Sequence, residues 1–291
     1  MTDDILASLI EGHAGLTKAA ADVSARYRER KGSLALQNAT EALAYAATRM
    51  PATLAAVEHV LAQTSGDAPS SILDFGAGPG TATLAATSIW RHARAVMIET
   101  NAHMRGVAQK LVPDASFVSA PEKADIVMAA YVLNEMPDAV KTARVLWDAT
   151  QDRLILIDTG TPAGYAMMMG VRDMLIAAGA HIHAPCPHHL ECPYQRESDG
   201  WCHFSVRLSR TRLHKQLKGA DLGYEDEKFI YLIAGRKPAQ PFEARIVGYP
   251  RIGKVMQLPL CTSDGQLENA MIAKRDAHYK TAKKAKWGDA L

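Results

Sequence analysis

The ten residues "LDFGAGPGTA" (73–82) restrict the possible fold more than any other stretch of this chain. A short apolar run, "SILDF", leads directly into Gly76, Gly78 and Gly80, and "TATLAATSIW" follows with helical character. Glycines at such a junction allow a tight turn and a close approach of backbone to ligand. The helix start behind them offers unpaired N–H groups to a carboxylate or phosphate. Three more short apolar runs follow, "ARAVMIET" (93–100), "ADIVMAAYVLNE" (124–135) and "RLILIDTG" (153–160), separated by helical stretches such as "PDAVKTARVLWDAT" (137–150). Strands alternating with helices predict an α/β chain built on a parallel sheet covered on both faces.

Glu99 closes the second run, about 20 residues past the glycines, where an acid takes a ribose hydroxyl pair. The order strand, glycine loop, helix, acid predicts a nucleoside-cofactor pocket. The wording G-x-G-x-G is neither the dinucleotide fingerprint nor a P-loop, since no G-K-[ST] ending follows. It resembles the first motif of class I S-adenosylmethionine-dependent methyltransferases. That resemblance implies cofactor binding by Asp74, Gly76, Gly78, Gly80 and Glu99, with the adenine near "SAPEKAD" (119–125) and the methyl group beside "AYVLNEM" (130–136). No [DNS]-P-P-[YF] loop is present. The catalytic candidates are Asn134 and Glu135, and a helix cap near Pro137 explains either residue equally well.

The four cysteines, Cys186, Cys192, Cys202 and Cys261, have the spacing C-x5-C-x9-C-x58-C. Three fall in the proline-studded stretch "HAPCPHHLECPYQRESDGWCHF" (183–204). Four thiolates suit a tetrahedral zinc or a cubane iron–sulfur cluster. The tight C-x2–4-C pairs of zinc ribbons are absent, and Cys186 and Cys192 are each followed by proline, as in a bacterial ferredoxin run. Zinc with His183, His188, His189 or His203 replacing a thiolate stays open, as do a nucleophilic Cys186 and four inert thiols.

The balance of 48% hydrophobic and 22% charged residues over 291 residues supports a sizeable core, and the net charge is only +2. The positive charge is nevertheless concentrated. Residues 274–286 hold six Lys/Arg against one Asp, and 207–218 hold five with no acid. Such stretches predict a polyanion surface, with Arg207, Arg210, Arg212, Lys280, Lys283 and Lys284 as RNA-binding candidates and Trp201, Phe204 and Trp287 as stacking candidates. No apolar run reaches the ~20 residues of a membrane span. The acidic "MTDDILASLIEG" lacks the pattern of a secretory signal, so a cytoplasmic location is expected.

The expected organisation is a helical region (1–65), a cofactor-binding Rossmann-like core (66–180), a cysteine-rich cluster-binding insertion (181–204), a basic helix with the last core strands (205–250), and a C-terminal β segment with a basic tail (251–291). Pro51 is expected to start or kink a helix. The stretches "SARYRER", "LAYAATRMPAT", "LDFGAGPGT", "YVLNE", "APCPHHLECP", "WCHFSVRLSR", "LPLC" and "YKTAKKAKWGD" together resemble the mitochondrial and bacterial small-ribosomal-subunit-associated methyltransferase-like proteins. The resemblance implies a class I methyltransferase fold and a 4Fe-4S cluster on Cys186, Cys192, Cys202 and Cys261. It also implies a role in small-subunit assembly through its rRNA, by a chain that is monomeric away from the ribosome. An RNA methyltransferase and a non-catalytic assembly factor both fit.

Overall fold

The computed structural model describes residues 8–10, 13, 15–28, 36–197, 200–277 and 279–291. Eleven strands are present among them: β1 (Ser71–Phe75), β2 (Arg94–Ile98), β3 (Ser116–Phe117), β4 (Ala124–Ala130), β5 (Thr150–Thr159), β6 (His181–Ala184), β7 (Phe204–Ser209), β8 (Tyr224–Gly235), β9 (Ala244–Ile246), β10 (Val255–Thr262) and β11 (Leu267–Ala273). The main sheet runs β3-β2-β1-β4-β5-β8-β6, with β7 also on β8. Its first five strands are parallel, and β8 is antiparallel to β5, β6 and β7. This is a Rossmann-like α/β sheet with an antiparallel far side. Central strands β1, β4 and β5 read as continuous apolar runs because helices cover both of their faces.

The helices that frame the sheet are α1 (Leu16–Arg28), α2 (Ala39–Leu61), α3 (Thr81–Ile89), α4 (Ala102–Leu111), α5 (Ala139–Ala149) and α6 (Pro162–Ala177). Four of the starts carry side-chain caps: Asn38, Asn101, Asp138 and Thr161 each accept a backbone N–H of the first turn. Pro51 lies inside α2 and does not start a helix. Proline removes one rung of the ladder there, but Ala42, Ala44, Ala46, Ala47, Met50 and Ala52 bury the surrounding turns, so packing holds the helix together.

The expected basic helix is also corrected. Residues 204–209 form β7, and only α8 (Arg212–Lys218), which follows the short α7 (Pro193–Glu197), is helical. The segment alternates Phe204, Val206, Leu208 with Ser205, Arg207, Ser209, a period of two, and it pairs residue by residue with β8.

The cysteine stretch bridges a gap on one edge of β8. β6 pairs with Ile233–Gly235 and β7 with Tyr224–Phe229, both opposite the edge that β5 occupies. Residues 185–203 leave the sheet between them and return. A second sheet, β11-β10-β9, packs its own apolar face around Ile246, Met256, Leu258 and Leu260. The chain end, past α9 (Tyr279–Ala282), runs back along β9 through Gly288 N–H to Ile246 O and Ile246 N–H to Asp289 O.

Candidate functional site

Strand β1 has β2 on one side and β4 on the other, so the chain reverses direction across the sheet at β1. A crevice opens there beyond the carboxyl ends of the strands, the place where open α/β sheets bind ligands. It contains about 1090 Å³ of open space, and its walls include Tyr45, Asp74, Gly78, Glu99, Tyr131 and Glu135. Gly76, Gly78 and Gly80 all have positive φ, at 69°, 55° and 84°. At Gly76 a Cβ would collide with the Val132 side chain, whereas at Gly78 it would meet open space. The loop is therefore glycine for two reasons, backbone sign throughout and contact with the end of β4 at its first position.

Asp74 is 1% exposed. Its Oδ2 accepts from the Thr83 N–H (3.0 Å) and hydroxyl (2.7 Å), which caps α3 from the strand behind it, and its Oδ1 is buried without a partner. Burial pushes the Asp74 carboxyl up to about 6, against the two bonds from Thr83. Glu99 accepts from the Gly78 N–H at 2.8 Å and the Asn101 N–H at 2.7 Å, so it ties the glycine loop to the start of α4. Each carboxylate oxygen keeps a lone pair for a hydroxyl in the crevice. A buried acid with one free oxygen, an acid after β2 and an open glycine loop are the groups that a nucleoside-sulfonium ligand would need for its cation, diol and carboxylate.

Asn134 does not cap a helix. Its amide donates to Asp158 Oδ1 at 2.5 Å and its N–H to Asp158 Oδ2 at 3.2 Å, while Asp138 caps α5. Glu135 does line the crevice. Tyr131, which the sequence reading passed over, sits at φ 58° directly after β4 and donates to Glu227 Oε1 at 3.0 Å. Glu227 in turn lies 4.0 Å from Arg49 on α2. Positive φ in a tyrosine marks backbone held by its surroundings, and sequence carries no signal for it.

A second cavity lies on the other side of β8. Cys186, Cys192, Cys202 and Cys261 all line it, with His188 and Arg245. All four are free thiols. Cys261 reaches them from β10, its Sγ 3.5 Å from His188 Nε2, and the Tyr165 hydroxyl donates to Cys192 Sγ at 3.4 Å. Burial pushes the Cys186, Cys202 and Cys261 thiols up, Cys261 to about 12, and neighbouring cysteines add to the effect. Among the described residues, no group of three or more His, Cys, Asp or Glu is placed to hold a single metal ion. Four cysteine sulfurs on the wall of one cavity are the donor set that a thiolate-bound metal centre would need.

Two buried arginines beside this cavity also escaped the sequence reading, Arg172 on α6 and Arg245 on β9, at 1% and 3% exposure. The only hint was an arginine within a mainly apolar stretch in "GVRDML" and "EARIVG".

The RNA-binding candidates divide into engaged and open groups. Arg207 makes a two-point bond to Asp226 (2.7 Å each), and Arg210 pairs with Glu225 at 3.3 Å. Arg212 is exposed at the start of α8. Lys280, Lys283 and Lys284 line an open surface hollow with Lys274 and Tyr279. Phe204 is fully buried and has no face for a base, while Trp201, His203, Trp287 and Tyr249 form a partly exposed ladder with ring centres 5.4, 5.0 and 4.6 Å apart.

The sheet order, the glycine loop at its reversal point and the acid after β2 define a Rossmann-like methyltransferase fold. A family model matches residues 39–291, and the chain belongs to that family, the mitochondrial small ribosomal subunit Rsm22 proteins. It is 29% identical over 293 residues to the human "Ribosome assembly protein METTL17, mitochondrial", an alignment covering 86% of this chain and 62% of that protein. It is 22% identical over 289 residues to "Rsm22-cox11 tandem protein 2, mitochondrial" of Schizosaccharomyces pombe, covering 75% of this chain and 38% of that one. The chain thus spans less than two thirds of either relative. Among solved structures it is similar to magnesium protoporphyrin IX methyltransferase from Synechocystis PCC 6803 with bound SAM, at 17% identity and TM-score 0.42, covering 78% of this chain and 100% of that chain. A SAM-dependent methyltransferase from Aquifex aeolicus aligns at 14% identity and TM-score 0.43, covering 69% and 100%. The cytoplasmic location expected from the sequence is overturned, because the family description and both relatives' names are mitochondrial. Among the described residues, no helix is long and apolar enough to cross a membrane.

Proposed function

We propose that this protein acts in assembly of the small ribosomal subunit by binding its rRNA, with S-adenosylmethionine in the glycine-loop crevice and a 4Fe-4S cluster in the thiol cavity. The observation that carries the reading is the convergence of four cysteines, spread from 186 to 261, on one cavity, in a chain that also carries a glycine-loop crevice at the reversal point of its sheet. In the crevice, Asp74 and Glu99 would meet the cationic and ribose parts of the cofactor, and the loop from Gly76 to Gly80 would let its backbone approach closely. When bound, the cofactor supplies an electrophilic methyl group. Tyr131 and Glu135 stand on the wall where an acceptor would enter, and such a displacement depends mainly on alignment.

The cluster would bind Cys186, Cys192, Cys202 and Cys261 and supply a cross-link between the β6–β7 loop and β10. A single zinc is the second reading, and the metal and sulfide content of the purified protein distinguishes it from the cluster. The exposed lysines 280, 283 and 284 supply phosphate contacts that give affinity without base specificity.

Anaerobic purification followed by metal and acid-labile sulfide analysis tests the cavity. About four irons and four sulfides per chain are expected, and colourless protein with one zinc would reverse the assignment. Calorimetric titration with S-adenosylmethionine, with Gly78→Arg as the blocked control, tests the crevice. Methyl transfer from labelled cofactor to rRNA of immature subunits separates an enzyme from a scaffold. No incorporation, together with full complementation by Gly78→Arg, identifies a non-catalytic assembly factor.

A further inference from the structure

We infer that Arg172 and Arg245 are the built-in counter-charges of the thiolate centre, and that they set its reduction potential and help to retain it. This rests on reading the cavity as a cluster site. A guanidinium stays charged when buried, and a buried charge without an opposite partner is strongly unfavourable. Elsewhere the protein observes that rule: buried Arg153 pairs with Asp152 at 2.9 Å. At the cavity it does not. Arg245 donates from Nε to Pro185 O (2.9 Å) and from Nη1 to Gln63 Oε1 (2.7 Å) and Gly288 O (2.8 Å), and it lies over the Phe242 ring, all neutral groups. Arg172 donates from Nη2 to His188 O (3.0 Å) and Leu190 O (2.8 Å), and its Nε is buried without a partner. Among the described residues, the acid paired with Arg172 is Asp173, 3.5 Å away, whose side chain is 61% exposed, so water screens most of its charge.

What the two arginines share is the cysteines. Arg245 stands directly opposite Cys261 in the β9–β10 register, which puts both side chains on one face. Its Nε bond to Pro185 O anchors the residue next to Cys186. The two carbonyls held by Arg172 belong to the loop between Cys186 and Cys192. Neutral thiols cannot balance two buried cations. Four thiolates on iron can, since such a centre carries net negative charge and gains more on reduction. Net charge and hydrogen bonds at the sulfurs are the levers that set such potentials. A cation nearby stabilises the reduced form more than the oxidised one, so removing it lowers the potential. If the arginines served only to tie loops through carbonyls, the potential would not follow their charge.

The test uses the full chain purified anaerobically, as wild type and as Arg172→Gln, Arg245→Gln, Arg172→Lys and Arg245→Lys. Iron and sulfide are counted, and the midpoint is measured by redox titration. Each glutamine variant is expected to weaken the reduction equilibrium about tenfold, which is about 59 mV for a one-electron couple. Iron should also be lost to a chelator several-fold faster. The lysine variants should recover most of both effects. Should a glutamine variant fail to fold, wild-type protein labelled with ¹⁵N-arginine supplies the measurement. Two Nε–H signals should shift or broaden on iron loading, and Nε–H signals that ignore loading would overturn the inference. Iron-loaded glutamine variants with wild-type potential and iron retention would overturn it as well. A wild-type chain that binds no iron would instead sink the cluster reading beneath it.

Discussion

Asp74 gives the sharpest quantitative expectation. Its carboxyl is 1% exposed, holds two bonds from Thr83 on one oxygen and none on the other, and burial lifts it from an ordinary 3.8 to about 6. Unfolded, the group ionises near its ordinary value, whereas folded it keeps its proton until about pH 6. Between those points the folded state binds more protons, so stability falls as pH rises. The contribution is complete below pH 3.8 and gone above about 6. Roughly two pH units at about 1.36 kcal/mol each make it about 3 kcal/mol. Asp74→Asn removes the titration, and its amide oxygen can keep accepting from Thr83. Urea unfolding of both proteins at half-unit intervals from pH 4 to 7 should show the variant gaining about 3 kcal/mol on wild type, nearly all of it below pH 6. Working with the difference cancels every other titrating group. A difference that stays flat across the window would refute the claim that burial governs this carboxyl.

Three other perturbations bear on separate parts of the molecule. Gly76→Ala places a Cβ at φ 69° against Val132, so it should cost about 2 kcal/mol or more in thermal unfolding and abolish cofactor binding by calorimetry. Trp201→Phe loses the 2.9 Å bond from Nε1 to Gly160 O at the end of β5; it should cost about 1 kcal/mol in urea unfolding while leaving iron content unchanged. Replacing Lys280, Lys283 and Lys284 together with alanine should flatten the plot of log affinity for rRNA against log salt by about 0.7 per lost phosphate contact, a change read by filter binding.

The parallel half of the sheet was legible because local cues agree with it. β1, β2, β4 and β5 are short apolar runs, and the helices between them have their own caps and spacing. The glycine loop was legible for the same reason, since strand, turn and helix are contiguous in sequence. Where the reading failed, a local cue was overridden by something distant. The stretch from 205 is expected as a basic helix, but the two-residue alternation from Phe204 to Ser209 meets β8 and becomes a strand. Pro51 looked like a boundary, and α2 runs through it because its alanines are packed on all sides.

The thiol cavity shows how far such reasoning extends. Cysteine is rare in this chain, so its four positions draw notice however far apart they lie. Arginine is common, and a mainly apolar neighbourhood is all that distinguishes Arg172 or Arg245 in sequence from the arginines at the surface. Their meaning comes from register, since Arg245 faces Cys261 only once β9 and β10 have paired, and from burial, since Arg172 loses its water only when α6 closes over the loop from Cys186 to Cys192. A charge balance needs both partners placed, and only one set of partners was visible in advance. The charged partners of a site of this kind are therefore the ones a sequence reading misses first, while rare residues such as the four cysteines are found first.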